Sequence, residues 1–191
     1  TIVISDIHGH RAWLEKLLKK VDFSEKDILI IVGDMIEKGP ESLNTIRYIM
    51  ELCEKYTVYP MMGNVDLWRI QMLLTEDGSL DQELYETNER MRQYWKATFF
   101  QDLCREAGVS VKTPEEIPAA REAVVAKFQK EFTFMKELPT ILVTPVFTFV
   151  HGGLVHEKLE DNFHLPPFQL LKNDNFINQG KHFDKYVVVG H

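Results

Sequence analysis

TIVISDIHG (1–9) and ILIIVGDMIEKG (28–39) are built alike: each is a β-branched apolar run that breaks off into glycine and aspartate. Short runs that are apolar on both faces form strands buried between two layers. Between them, HRAWLEKLLKKV (10–21) spaces Trp13, Leu14, Leu17, Leu18 and Val21 as one apolar face of a helix. The unit then repeats. ESLNTIRYIMELCEKY (41–56) puts Leu43, Ile46, Ile49, Met50 and Cys53 on a helical face, and TVYPMM (57–62) is a weaker third strand. In this β-α-β-α-β order right-handed crossovers make the strands parallel, and the residues just past their C-terminal ends gather along one sheet edge.

With 191 residues, 45% of them hydrophobic, the chain can bury a substantial core as one domain, 1–191. From Leu67 to about Leu138 it is helix-like and charged, as in DQELYETNERMRQYWKATFFQDLCREAG and PEEIPAAREAVVAKFQKEFTFMKEL. Residues 67–138 are therefore expected to form a helical insertion or cap, with Trp95, Phe99 and Phe100 serving packing. Strand signals return in VFTFV (146–150) and YVVVG (186–190). Because these patterns begin at Thr1 and stop beside His191, further sequence is expected beyond the C-terminus. The 22 basic and 29 acidic residues give a net charge of -7, which disfavours general binding to nucleic acid or to anionic membranes. No apolar run approaches the roughly 18 residues of a membrane span. Cys53 and Cys104 lie far apart in no CxxC pattern, so buried free thiols and a reducing, cytoplasmic setting are expected.

Five strand ends carry residues able to hold a metal: SDIHG (5–9), GD (33–34), GN (63–64), HGG (151–153) and GH (190–191). They contribute Asp6, His8, Asp34, Asn64, His151 and His191. The intervals Asp6 to Asp34 and Asp34 to Asn64, 28 and 30 positions, are each one β-α unit long, so one sheet edge can collect the set. Two carboxylates, an amide oxygen and three imidazoles exceed the needs of one ion. The lack of thiolate points to manganese, iron, zinc or magnesium. Two ions bridged by a carboxylate, with an activated water between them, suit phosphate ester hydrolysis. His156, His164 and His182 fall in loop-like sequence and are expected to have no chemical role.

In order and wording, SDIHG, GDMIEKG, GNVD, HGG and the final GH resemble the motifs of the calcineurin-like metallophosphoesterases. The resemblance is strongest to the bacterial branch of the phosphoprotein phosphatases and to diadenosine tetraphosphate hydrolases. It implies an α/β fold, an αββα sandwich of mixed sheets flanked by helices, with a dinuclear centre of which manganese is the expected metal. By the same resemblance Asp6 and His8 bind the first ion, Asp34 bridges, and Asn64, His151 and His191 bind the second. A phosphorylated protein or a small phosphoester is the implied substrate.

The departures are specific. Family members usually read GDxxDRG and GNHE or GNHD, whereas Glu37, Lys38 and Val65 stand here for the Asp, Arg and His. In the family that His, paired with the Asp, protonates the leaving oxygen, and the Arg grips the phosphate. Lys38 keeps the positive charge as a point charge without the fork. Val65 can donate nothing. The expectation is a working but impaired phosphatase, biased toward aryl or phosphoanhydride leaving groups that depart as anions. Asp66 and His10 are possible replacements for the acid, with a helix cap and a first-turn helix residue as their plainer readings. Glu37 is expected to be a solvated carboxylate if it has no such role. The competing expectation is a phospholigand-binding or regulatory module that has lost turnover.

Overall fold

The chain is described as a computed structural model that covers residues 1–74 and 98–191. Strands β1 (Ile2–Ile4), β2 (Ile28–Val32) and β3 (Thr57–Met61) form a parallel sheet in sequence order, in the registers Ile4 to Ile31 and Val32 to Met61. Helices α1 (Arg11–Lys20) and α2 (Ser42–Lys55) make the crossovers, as the periodicity of 10–21 and 41–56 predicts. A second sheet holds β4 (Ile141–Val143), β5 (Phe147–Val150) and β6 (Tyr186–Val188), with β4 antiparallel and β6 parallel to β5. The sequence reading had no strand at 141–143. Here Ile141, Leu142 and Val143 gain ladder partners in Val150, Phe149 and Thr148.

Side-chain alternation along the strands stacks the layers. Leu29 and Ile31 of β2 face the helices, whereas Ile30 and Val32 join Met61 and Phe149 between the two sheets. Beyond the second sheet, Val150 packs with Leu154 and with Leu170 of α7 (Pro167–Leu171). The result is an αββα sandwich of one parallel and one mixed sheet flanked by helices, in line with the α/β fold class expected from the sequence.

Helix α3 (Asn64–Leu74) begins on Asn64 itself, three residues before the expected start of the helical segment. Among the described residues the next helices are α4 (Thr98–Ala107), α5 (Ile117–Lys127) and α6 (Gln129–Lys136). Phe99, Phe100, Leu103, Val124, Phe128 and Phe132 are buried in the same core as Leu29 and Ile31. Trp95 lies outside the described residues. Helix α1 departs from expectation: Leu14 and Leu18 are buried, but Trp13, Leu17 and Val21 are 68%, 41% and 44% exposed. Both cysteines are free, Cys104 buried and Cys53 half-buried, and burial pushes each thiol up to about 11. Among the described residues, no helix is long and apolar enough to cross a membrane.

Candidate metal centre

Each of the first two parallel strands delivers its polar residue through a backbone reversal at its C-terminal end. Asp6, His8 and Asp34 have φ of 54°, 47° and 52°, and Glu37, Lys38 and His191 share this left-handed conformation. Such a conformation persists in L residues only where surroundings enforce it, and it collects at functional sites. Enforcement comes from short backbone bonds between neighbouring strand ends: Asp6 N–H donates to Gly33 O at 3.1 Å, and His8 N–H to Asp34 O at 3.0 Å. A Cβ on Gly33 would sit 2.6 Å from Cα of Gly63 and 2.7 Å from His151 Nδ1, so only glycine lets these loops approach.

Two clusters result. Asp6, His8 and Asp34 form one, and Asp34, His151 and His191 the other, with the potential ligand atoms of each within 4.8 Å of one another. Asp34 belongs to both. Its Oδ2 lies 3.6 Å from His8 Nε2 and its Oδ1 lies 3.4 Å from His151 Nε2. Asn64 joins the second cluster through Oδ1, 3.0 Å from His151 Nε2. All six residues selected from the sequence therefore meet at one edge. Carboxylate, amide oxygen and imidazole donors without thiolate fit divalent ions of borderline or hard character.

The two inner imidazoles are preset for ligation. His8 Nδ1 lies 3.0 Å from Ile36 O, and His151 Nδ1 lies 2.7 Å from Val32 O. A backbone carbonyl can only accept, so each Nδ1 carries a proton and each Nε2 is turned toward its cluster. Burial works against the charge on Asp34, yet the hydrogen bond and charge of His151, the amide of Val65 and the charge of His8 together hold its carboxyl below the usual range. The same pairing, again against burial, raises His151.

Two lysines reach the clusters. Lys38 Nζ is 2.7 Å from His8 Nε2, and Lys172 Nζ is 2.9 Å from His191 Nε2. Asp174 Oδ1 also holds His191 Nε2, at 2.6 Å. Sequence reasoning missed Lys172 and Asp174, because LLKND (170–174) carries no motif and only the fold returns it to His191.

Glu37 departs from expectation, since it is not a solvated carboxylate: it is buried and bonded to Arg69 Nε at 2.7 Å. Asp66 is more than a helix cap. Fully buried, it accepts the amides of Met35, Ile36 and Gly63 at 3.0, 3.4 and 3.0 Å. Burial, and then the charge of Asp34, push its carboxyl up to about 7. His10 precedes the first turn of α1 and stacks on Trp13, with ring centroids 4.8 Å apart. His156, His164 and His182 lie in loops.

The model of the calcineurin-like phosphoesterase family matches residues 1–191. A symmetrical bis(5′-nucleosyl)-tetraphosphatase of Shewanella loihica (strain ATCC BAA-1088 / PV-4) is 46% identical over 68 residues, 35% of this chain and 24% of that protein. The protein of the same name from Buchnera aphidicola subsp. Schizaphis graminum (strain Sg) is 45% identical over 65 residues, 34% of this chain and 23% of that one. The matched stretch thus spans about a quarter of those relatives. A crystal structure of a candidate diadenosine tetraphosphatase shares the fold, with a TM-score of 0.57 at 20% identity over 99% of this chain and 73% of the other.

Proposed function

The chain belongs to the calcineurin-like phosphoesterase family, and from that premise we propose that it is a metal-dependent phosphoric ester hydrolase acting on small phosphoanhydrides of the dinucleoside polyphosphate class. The observation that carries this reading is the position of Asp34, one oxygen toward His8 and the other toward His151. That placement suits a carboxylate shared by two divalent ions. Asp6 and His8 would hold one ion, and Asn64, His151 and His191 the other. When bound, such ions supply Lewis-acid charge for the phosphoryl oxygens and activate a water for attack. We propose manganese for this donor set.

The chain's own residues prepare that chemistry. The carbonyls of Ile36 and Val32 hold the Nδ1 protons of His8 and His151, so both rings turn their Nε2 atoms toward the clusters. Lys38 and Lys172 bring two ammonium groups to the clusters, where they can meet phosphoryl oxygens as point charges. Val65 has no proton to give. A leaving group that departs as a stabilised anion tolerates this, whereas the alkoxide of a phosphoserine does not. A phosphoanhydride therefore fits this site better than a phosphoprotein, and the relatives from Shewanella and Buchnera are named for such a substrate. Val65 also favours the second reading, a phospholigand-binding module without turnover.

The domain proposal follows from packing. Because α4 to α6 share the core of α1 to α3, residues 1–191 are read as one domain with 67–138 as its helical insertion. Two free cysteines are compatible with a reducing cytoplasm.

The test is the initial rate of manganese-loaded protein on diadenosine tetraphosphate and on an aryl phosphate, beside an Asp34→Asn variant. Hydrolysis well above that of Asp34→Asn supports the enzyme. Tight phosphate binding without such hydrolysis favours the binding module instead.

A further inference from the structure

The loop between Asp34 and Ser42 is anchored from outside the metal clusters. The Glu37 carboxylate, in a residue 6% exposed, accepts Arg69 Nε of α3 at 2.7 Å and the Phe99 amide of α4 at 3.3 Å. Its own amide donates to Ser42 Oγ at 3.0 Å, and the Ser42 amide donates to Asp102 Oδ2 of α4 at 3.1 Å. Two helices thus grip one short turn.

Glu37 and Lys38, at φ 70° and 64°, are consecutive left-handed residues. Neither is glycine, so the turn is disfavoured in isolation and needs external restraint. The restraint acts on Glu37, while the group it delivers is on the next residue: the Lys38 ammonium, 2.7 Å from His8 Nε2. Arg69 is itself mostly buried, with Nε 2.7 Å from Glu37 Oε1.

We propose that Arg69 and Glu37 are positioning residues, whose buried ion pair holds the left-handed Glu37-Lys38 turn and so keeps the Lys38 ammonium over the metal clusters to meet a substrate phosphate. The inference rests on the phosphoester reading above. It assigns Glu37 to loop geometry rather than to proton transfer. It also gives the helical segment a role, because Phe99 and Asp102 brace the same turn.

The test is calorimetric titration of inorganic phosphate into the manganese-loaded full chain, with aryl phosphate kinetics alongside. The variants are Lys38→Met, Arg69→Met, Arg69→Lys, Glu37→Gln and the double Lys38→Met/Arg69→Met. Arg69→Met is expected to weaken phosphate binding and raise KM about tenfold, with kcat changed less. Arg69→Lys, which keeps a cation, recovers most of that loss. In the Lys38→Met background, Arg69→Met adds less than about twofold, as expected of a residue acting through Lys38. The inference is overturned if Arg69→Met leaves phosphate affinity unchanged, or weakens it equally with and without Lys38. Should Arg69→Met fail to fold, Glu37→Gln in the two Lys38 backgrounds makes the same comparison. Phosphate binding needs no turnover, so a parent chain that binds phosphate but hydrolyses nothing would sink the proposed activity and leave this comparison intact.

Discussion

The buried carboxylate of Asp66 accepts the amide of Met35 at 3.0 Å across 31 positions of sequence. Its other oxygen takes the Gly63 amide, so one side chain joins the loop that follows Asp34 to the turn that carries Asn64. Burial first, and the nearby Asp34 charge second, raise this carboxyl from 3.8 to about 7, against the pull of its amide bonds. Below pH 4 the group is protonated whether the chain is folded or not. Between about pH 4 and 7 the unfolded chain ionises first, so the folded state binds more protons and Asp66's contribution to stability falls as pH rises, by on the order of 4 kcal/mol. In metal-free protein, Asp66→Asn is expected to lose stability at pH 4 and to narrow its deficit, or reverse it, by pH 7. Denaturant midpoints of both proteins across that range check it, and a constant gap would refute it.

Asp34 is the one carboxylate common to both clusters. Asp34→Asn removes the charge that faces His8 and His151 at once, so both sites should weaken together rather than one alone. Elemental analysis after dialysis is expected to show metal falling from about two ions per chain to below one, and phosphoesterase rate falling at least about 100-fold. Retention of one full equivalent would mean that Asp34 serves a single ion.

How much of this was legible in the sequence depends on the reach of each contact. The parallel sheet and the six strand-end residues were readable, since a strand followed by glycine and a polar residue is a local pattern repeated at β-α spacing. Strand β4 was not: it is three residues long, lies between Pro139 and Pro145, and exists because β5 pairs with it. For α1, two overlapping stripes satisfied helical spacing, and the way the helix sits on the sheet selected Leu14 and Leu18 over Trp13, Leu17 and Val21. Arg69, Lys172 and Asp174 escaped because their partners, Glu37 and His191, are distant in sequence and no local signature marks them.

Gly63 makes room for Asp34. A Cβ there would overlap the backbone nitrogen and Oδ1 of Asp34 and lie 2.9 Å from its Cα. Gly63→Ala must push Asp34 aside or unfold the turn, and is expected to cost about 2–4 kcal/mol together with most of the metal affinity. Thermal unfolding and manganese titration of the variant would reveal it. Gly108→Ala is the control for a glycine with open space around it, though its φ of 75° still strains an alanine.

Val65 occupies the first turn of α3, where its amide donates to Asp34 Oδ1 at 2.9 Å. This bond belongs to the backbone, so Val65→His keeps it and changes only what the side chain can offer. An imidazole beside the clusters would offer a proton to a leaving oxygen, and a positioned general acid contributes about 10²- to 10⁴-fold. The benefit must track the basicity of the leaving group. Alkyl phosphate hydrolysis is expected to rise by about 10²-fold or more in Val65→His, whereas aryl phosphate and dinucleoside polyphosphate hydrolysis should rise less than about tenfold. Rates on all three, at fixed manganese and over pH 6 to 9, check the prediction. A uniform rise would mean that the substitution reshaped the pocket without adding an acid, and no rise on the alkyl ester would mean that a proton donor at this position is not what limits this site.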